Sequence, residues 1–426
     1  MLTSLYTAIT GMNASGTWLS VIGDNIANMN TVGFKASRIA FGDILAGVVG
    51  SLQIGRGVLI SDISPLFTQG SFENTANSLD LAIDGDSFFI AGESGARYYT
   101  RAGQFSLDKD GYIVNPDGLI LQGYLADAAG NLTGTLGDLQ IGVGQSLANA
   151  TTSATISLNL DSTAAIQTTP FTLDSNGDGT NNDPANYNSS NTLTVFDSQG
   201  GAHQVTLYFA KTADNAWTVH YVYPDSTNPA ELVDAGTQLL TFNTDGALVA
   251  DNSGTSISFD FGASVTSPQG ITFDFGTGTA ESGDGLDGTT QFASDFAVAL
   301  LSQDGYASGS LANVSISEGG IITGVFTNGQ TRAIGQVALA KFTAPDELSK
   351  LGRNLYAESY DSGQPVIGMA NTSGLGRILS NSLELSNVDL AGEFVKMISA
   401  QRAFQANSRL ITATDEMLQE LVNLKR

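Results

Sequence analysis

Leu2-Thr-Ser-Leu-Tyr-Thr-Ala-Ile-Thr-Gly-Met-Asn-Ala-Ser-Gly-Thr-Trp-Leu-Ser-Val-Ile-Gly-Asp-Asn-Ile26 opens the chain with no charged side chain before Asp24. Leu5, Met12, Leu19 and Ile26 recur every seven residues, and Leu2, Ile9, Gly16 and Gly23 form a companion row. Together they give the 3-4 spacing of a helix that supercoils against partners. Thr, Ser and Asn fill the other faces. Short polar residues then gather at Asp24, Asn25, Asn28, Asn30 and Gly33, a composition that ends a helix and opens a turn.

The other end mirrors this one. Ser386-Asn-Val-Asp389 has the look of a capping box, and no Pro, nor any Gly after Gly392, interrupts the run to Arg426. Met397, Phe404, Ile411 and Leu418 repeat at seven, with Leu410, Met417 and Leu424 as an adjacent row and Leu421 beside them. Gln401, Ser408 and Asp415 interrupt the second stripe, which argues against a simple dimeric zipper and for a face wide enough to touch several neighbours.

Between the ends the pattern is β. Leu81–Ile83 and Phe88–Ile90 flank the turn Asp84-Gly-Asp86, and Asp110-Gly111 and Asp117-Gly118 mark hairpins. Val205, Leu207 and Phe209 alternate, as do Trp217, Val219, Tyr221 and Tyr223, with a turn over 212–215 between them. Ile257, Phe259, Phe261 and Ile271, Phe273, Phe275 keep the same period of two. Residues 145–284 hold 15 acidic side chains against Lys211 alone, a net of −14. Their edges, 142–154 and 276–288, are rich in small residues, so an acidic β-domain inserted into a larger β-domain is expected.

The whole chain, 426 residues, is long enough for about three domains of roughly 150 residues. Its 17 basic and 42 acidic residues give a net charge of −25, which argues against a nucleic-acid surface. Only 14% of residues are charged while 42% are hydrophobic, unlike a disordered acidic tail. The 49 Gly and 9 Pro suit a turn-rich β protein. The lack of any Cys excludes disulfides, zinc–thiolate sites and thiol catalysis. The first basic residue is Lys35, so no positive n-region of a cleavable signal is read, and no apolar run reaches the ~20 residues of a membrane span.

Sharper local readings compete with plain ones. Asp174-Ser-Asn-Gly-Asp-Gly179 puts Asp174, Asn176 and Asp178 at calcium-loop spacing, with Asp183 as an irregular fourth ligand. Ala185 occupies the place of the bidentate Glu, so a solvated Asn/Asp/Gly loop is favoured and no metal or cofactor is assigned. His203 and His220 read as sheet residues rather than a metal pair. No G-x-S-x-G nucleophile elbow is present, and no catalytic site is assigned. Arg402 and Arg409 lie one heptad apart and read as a solvated face or as partners of Asp415 and Glu416.

Several segments resemble the bacterial flagellar rod and hook axial proteins. Asp24-Asn-Ile-Ala-Asn-Met-Asn-Thr-Val-Gly-Phe-Lys35 is similar to their N-terminal signature. Leu79-Asp-Leu-Ala-Ile-Asp-Gly-Asp-Ser-Phe-Phe89 and Tyr99-Thr-Arg-Ala-Gly-Gln-Phe-Ser-Leu-Asp108 resemble their shared first β-domain. Asp304-Gly-Tyr306, Thr327-Asn-Gly-Gln330 and the run from Ser386 resemble the hook branch, and Thr194-Val-Phe-Asp-Ser-Gln-Gly200 a hook outer domain.

The resemblance implies a mostly β protein with α-helical termini. Residues 1–30 and 386–426 are then a coiled-coil-like inner domain lining a channel, and 31–70 and 371–385 an extended connector. Residues 71–144 and 285–370 are a tube-wall domain, and 145–284 an acidic outer domain. It implies a non-enzymatic subunit that self-assembles into a bent hollow tube joining motor to filament. Its implied partners are copies of itself, a hook cap, the distal rod, hook–filament junction proteins and a hook-length ruler. Export through the flagellar type III apparatus, to an extracellular place and without membrane insertion, is implied too. A distal rod protein of the same superfamily is the nearest alternative, but rod proteins lack a large outer insert. A secreted acidic calcium-binding adhesin is the alternative from another class.

Elementary energetics point the same way. A helix over residues 2–26 is ~37 Å long at ~1.5 Å per residue. Gly11, Gly16 and Gly23 each cost it ~1 kcal/mol relative to Ala, and it has no charges to pair. Alone in water it is largely unfolded. Packed against the C-terminal helix and neighbouring subunits, burial of Leu5, Met12, Leu19 and Ile26 at ~1.5–3 kcal/mol each reverses the balance. The expected assembly residues are these four with Ile9, Met397, Phe404, Leu410, Ile411, Met417, Leu418, Leu421 and Leu424.

Overall fold

The computed structural model describes residues 2–45, 55–93, 95–127, 129–142, 145–251 and 255–423. Helix α1 spans Leu2–Ala27 and helix α2 spans Leu390–Asn423; nearly all the regular structure between them is strand. Two compact units emerge. One comprises Met1–Gly144, Ala312–Val325 and Thr331–Arg426, the other Gln145–Leu311 and Phe326–Gln330.

In the first unit, Ser37–Leu45 and Gly55–Pro65 form an antiparallel ribbon with Ile39 opposite Ile63. A larger sheet is built from strands of distant origin. Thr331–Lys341 pairs with both Phe88–Glu93 and Ile120–Ala126, placing Leu339 opposite Phe89 and Gly335 opposite Leu125. Its core gathers Phe88, Ile90, Tyr99, Ala338, Ala340, Phe342, Leu348 and Tyr356. The rings of Phe67, Phe88, Tyr356 and Phe342 meet edge to face at 5.1–6.0 Å, an arrangement their quadrupoles favour. Two short pairings draw the chain ends together: Arg377–Ser380 lies against Leu81–Asp84, and Ser382–Glu384 against Phe72–Asn74. Gly111 and Gly118 adopt positive φ, as the Asp-Gly turns require.

The second unit is two sheets sharing one core. Ser189–Phe196, Ala202–Ala213, Ala216–Pro224, Leu232–Phe242 and Leu248–Ala250 form an antiparallel meander. Ser256–Phe259, Gln269–Asp274, Ser153–Asn159 and Ala297–Gln303 form the second sheet, in that order. The alternating residues from Val205 to Tyr223 and from Ile257 to Phe275 are the buried ones. Most of their neighbours on the other face are polar or half-exposed, as a sheet wet on one side demands, with Ala210 and Val222 buried there as exceptions.

One boundary differs from the composition reading. Ala297–Gln303 pairs with Ser153–Asn159, Leu301 opposite Ile156, so residues 285–311 belong to the second unit rather than to the first. The Gly-rich stretch 276–288, read as a domain edge, is a loop inside that unit. It holds a 3-10 turn at Thr279–Glu281, and Gly285 at φ 71° lies against the Leu248 backbone.

Candidate assembly interface

Within the first unit α1 and α2 pack together. Gly11 meets Asn407, where a Cβ would stand 2.8 Å from the Asn407 amide nitrogen, and Asn25 Nδ2 reaches Glu393 Oε2 at 3.4 Å. The helices therefore run antiparallel. The buried row of α1 is Ala8, Ser15 and Ile22, with Ala14 and Asn25 beside it. That of α2 is Glu393, Ala400 and Thr414, with half-buried Asn407 in step. Both rows keep the seven-residue period, but apart from Ile22 their side chains are small or polar.

The larger apolar residues expected at the contact stand elsewhere. Leu5, Ile9, Met12, Leu19 and Ile26 are only half-buried, as are Met397, Ile411 and Leu418. Phe404, Leu410 and Met417 are exposed. Leu421 lies on α2, and Leu424 lies outside the described residues. Phe394, Val395 and Ile398, which the heptad rows omit, form a further exposed apolar patch near the start of α2. Of the three glycines of α1, only Gly11 has a close neighbour; Gly16 and Gly23 face open space within this chain. Ser15, Thr17 and Ser20 bond back to carbonyls four residues earlier, which satisfies the hydroxyls without stiffening the helix.

The turn after α1 is fastened by several of its polar side chains. Asn28 closes back on Asp24 through backbone and side chain. Asn25 bridges to the connector, donating to Ser37 O at 3.0 Å and accepting from Ser37 N at 2.8 Å. Gly33, at φ 70°, sits where a Cβ would be 2.5 Å from Ala102 N. Asp389, not Ser386, caps α2: its Oδ1 accepts from Ala391 N at 3.1 Å.

Beneath this turn lies a buried charge cluster. Lys35 Nζ donates to Glu384 Oε1 at 2.6 Å, and both side chains are 0% exposed. Arg101 Nη1 is 3.4 Å from Glu384 Oε2, and its guanidinium lies over the Phe88 ring. Arg101 Nη2 donates to Gly85 O at 2.6 Å, Lys35 also to Thr68 O at 2.8 Å, and Gly70 N to Glu384 Oε1 at 3.0 Å. Burial pushes Lys35 and Arg101 below their ordinary values, and Glu384 opposes the shift in both. Glu384 is the carboxylate bonded to both cations, with Asp86 adding a weaker field at each, so the cluster depends chiefly on Glu384. Lys35 and Arg101 lie inside the quoted signatures, but pattern reading gave neither a role.

The terminal segments on which this arrangement rests match known proteins. Residues 5–35 match the model for the flagella basal body rod protein, and 379–424 that for the flagellar basal body rod FlgEFG protein C-terminal. Residues 82–167 match the flagellar hook protein FlgE/F/G D1 domain, and 159–306 the flagellar basal body protein FlaE D2 domain. The flagellar hook protein FlgE of Escherichia coli (strain K12) is 36% identical over 98% of this chain and 99% of its own. That of Borreliella burgdorferi is 34% identical over 100% of both. The chain belongs to the flagellar hook protein FlgE family.

The crystal structure of Helicobacter pylori flagellar hook protein FlgE2 shares the fold, with a TM-score of 0.51 at 17% identity over 73% of this chain and all of that one. Three of these matched segments each contribute one member of the charge cluster: Lys35, Arg101 and Glu384. The family's hook proteins are structural. No described helix is long and apolar enough to cross a membrane.

The calcium-like loop spends its carboxylates on its own backbone. Asp174 Oδ1 accepts from Gly177 N and Asp178 N, and Asp183 Oδ1 from Ser175 N. Asn176 Nδ2 bonds Asp178 Oδ2 at 3.0 Å. Among the described residues no group of three His, Asp or Glu side chains is placed to hold a metal ion. His203 and His220 are far from forming a pair. Each bonds its own Asp at 2.8 Å, Asp197 and Asp234, and stacks at 4.1 Å on its own ring, Phe261 and Phe171.

Proposed function

We propose that this chain is the structural subunit of the bacterial flagellar hook: it polymerises into a bent hollow tube that passes motor torque to the filament. One observation carries the reading. Similarity to proteins named flagellar hook protein FlgE runs from end to end and so includes both terminal helices. The helices supply the contacts. Their mutual face is mostly small or polar, while half-buried Leu5, Met12 and Leu19 and exposed Leu410, Met417 and the Phe394 patch leave apolar surface for copies of the chain. In dilute solution the helices are marginal, and docking onto neighbours orders them.

The second unit supplies the soft contacts that bending needs. The sequence gives it one basic residue, Lys211, and that residue is buried, donating to Ser162 O at 2.7 Å and Ala164 O at 3.2 Å. Acidic side chains dominate its exterior, and copies brought side by side repel, so contacts there are wet and salt-sensitive. Residues 1–30 with 386–426 line the channel, and the acidic unit faces outward. Partners are further copies, the hook cap, distal rod, junction proteins and length ruler, reached after export through the type III channel.

The test is direct. Purified protein is brought to polymerising conditions and imaged in negative stain, beside chains lacking residues 1–26 or 390–426. Curved hollow tubes from the full chain alone support the reading; compact particles under all conditions overturn it.

A further inference from the structure

The segment from Asn25 to Ser37 takes key polar partners from the far end of the chain. Gly33 N donates to Glu384 O at 2.8 Å, Lys35 Nζ to Glu384 Oε1, and Ala36 N to Asn387 Oδ1 at 2.8 Å. Asn25 Nδ2 reaches Glu393. Asn387 then donates to Leu66 O at 2.8 Å and Thr68 O at 3.1 Å, tying in the return strand of the ribbon. The partners lie 349 and 351 residues away for Lys35 and Ala36. Among the described residues Glu384 is the acid bonded to the Lys35 ammonium, whose other acceptor is the Thr68 carbonyl; Asp86 acts on it through its field without bonding it.

We propose that residues 24–37, 66–70 and 384–393 form a chain-closure latch, a unit that orders all at once and only when both ends of the chain are present. Without residues 384–393, folding the N-terminal segment buries Lys35 beside Arg101 with no carboxylate bonded to it, and leaves the Gly33 and Ala36 amides without their partners. The segment therefore waits for the C-terminal end. The latch also sets helix register, because Asn25 and Glu393 are fixed just where α1 ends and α2 begins. Its consequence for assembly rests on the hook reading: a chain without its C-terminal end cannot present a formed base to the polymer. The latch itself does not depend on that reading.

Hydrogen exchange on the full, dispersed chain tests it. Wild type, Glu384→Gln and Asn387→Ala are compared at Gly33, Ala36, Ser37 and Gly70, with Val205–Tyr223 as the internal reference. The diagnostic amide is Ser37, which bonds Asn25 and nothing in the C-terminal segment. In the wild type these amides are protected. In Glu384→Gln all four exchange about a hundredfold faster or more, together, while 205–223 is unchanged. Asn387→Ala, whose direct amide loss is Ala36 alone, likewise speeds Gly33 and Ser37. If Glu384→Gln unfolds the whole first unit, Asn387→Ala decides by that criterion. Faster exchange confined to the direct partners, or no protection in the wild type, overturns the latch. Polymerisation is read separately by sedimentation, so its failure bears on the hook reading alone.

Discussion

Truncating the exposed patch at the start of α2 separates assembly from folding. Phe394, Val395 and Ile398 are 48%, 66% and 51% exposed and lie within one arc of the helix. Full burial of such a side chain stabilises by ~1.5–3 kcal/mol, so covering the open half contributes ~1 kcal/mol each and ~3 kcal/mol together. Phe394→Ala, Val395→Ala and Ile398→Ala combined remove most of that. At about 1.4 kcal/mol per tenfold, the critical concentration for polymerisation rises about a hundredfold. Alanine is the best helix former, so α2 itself does not suffer, and the dispersed chain unfolds within about 1 kcal/mol of wild type. Sedimentation across a concentration series gives the critical concentration, and denaturant unfolding gives the control. Polymerisation at the wild-type concentration would show that this face stays open in the tube and that the apolar-contact argument is wrong.

Further perturbations reach other parts of the molecule. Gly33→Ala forces a side chain into φ 70° and against the Ala102 and Arg101 backbone, so the first unit loses roughly 2–5 kcal/mol; an unchanged unfolding midpoint refutes the close approach. Hook curvature changes between about 0.01 and 1 M salt, as the screening length falls from roughly 30 to 3 Å, and cryo-microscopy showing one invariant form counts against outer-surface repulsion. Burial disfavours the Asp197 charge, but bonds from His203, Gly201 and Gln199 outweigh it and hold its carboxyl below 3.8. Asp304 is likewise held low against burial by Thr152 and Ser153, and exposed Asp260 by Ser267 and Gly262. A depressed folded value gives stability that is whole above the unfolded value and lost as pH falls through the folded one. The second unit therefore keeps its melting temperature from pH 7 to about 5 and loses it below about 3.8; Asp197→Asn flattens that acid limb, and a melting temperature flat to pH 2 refutes the assignment.

What the sequence reveals divides along physical lines. Alternation in the second unit is legible because the burial of Val205, Trp217 or Phe273 depends only on the pleat, and a period of two survives any tertiary arrangement. Heptads disclose the two helices but not which seven-spaced row faces inward, because apolarity marks any face meant to be covered. In this chain the inward row is Ala8, Ser15 and Ile22, and a row that mixes small and polar residues with one Ile reads as indifferent until its partner is known. The limit of the second unit at Leu311 was hidden for a similar reason: a Gly-rich stretch looks alike as a linker and as an internal loop, and only the pairing of Ile156 with Leu301 decides. The charge cluster lies furthest from view. Lys35, Arg101 and Glu384 share neither period nor local motif, and their meaning arises only in the fold, where Glu384 ends the strand paired with 72–74 and all three side chains are buried together. An acid and a base far apart in sequence look like solvated charges, and only burial, where neither ion survives without the other, turns them into a demand that both ends of the chain be present.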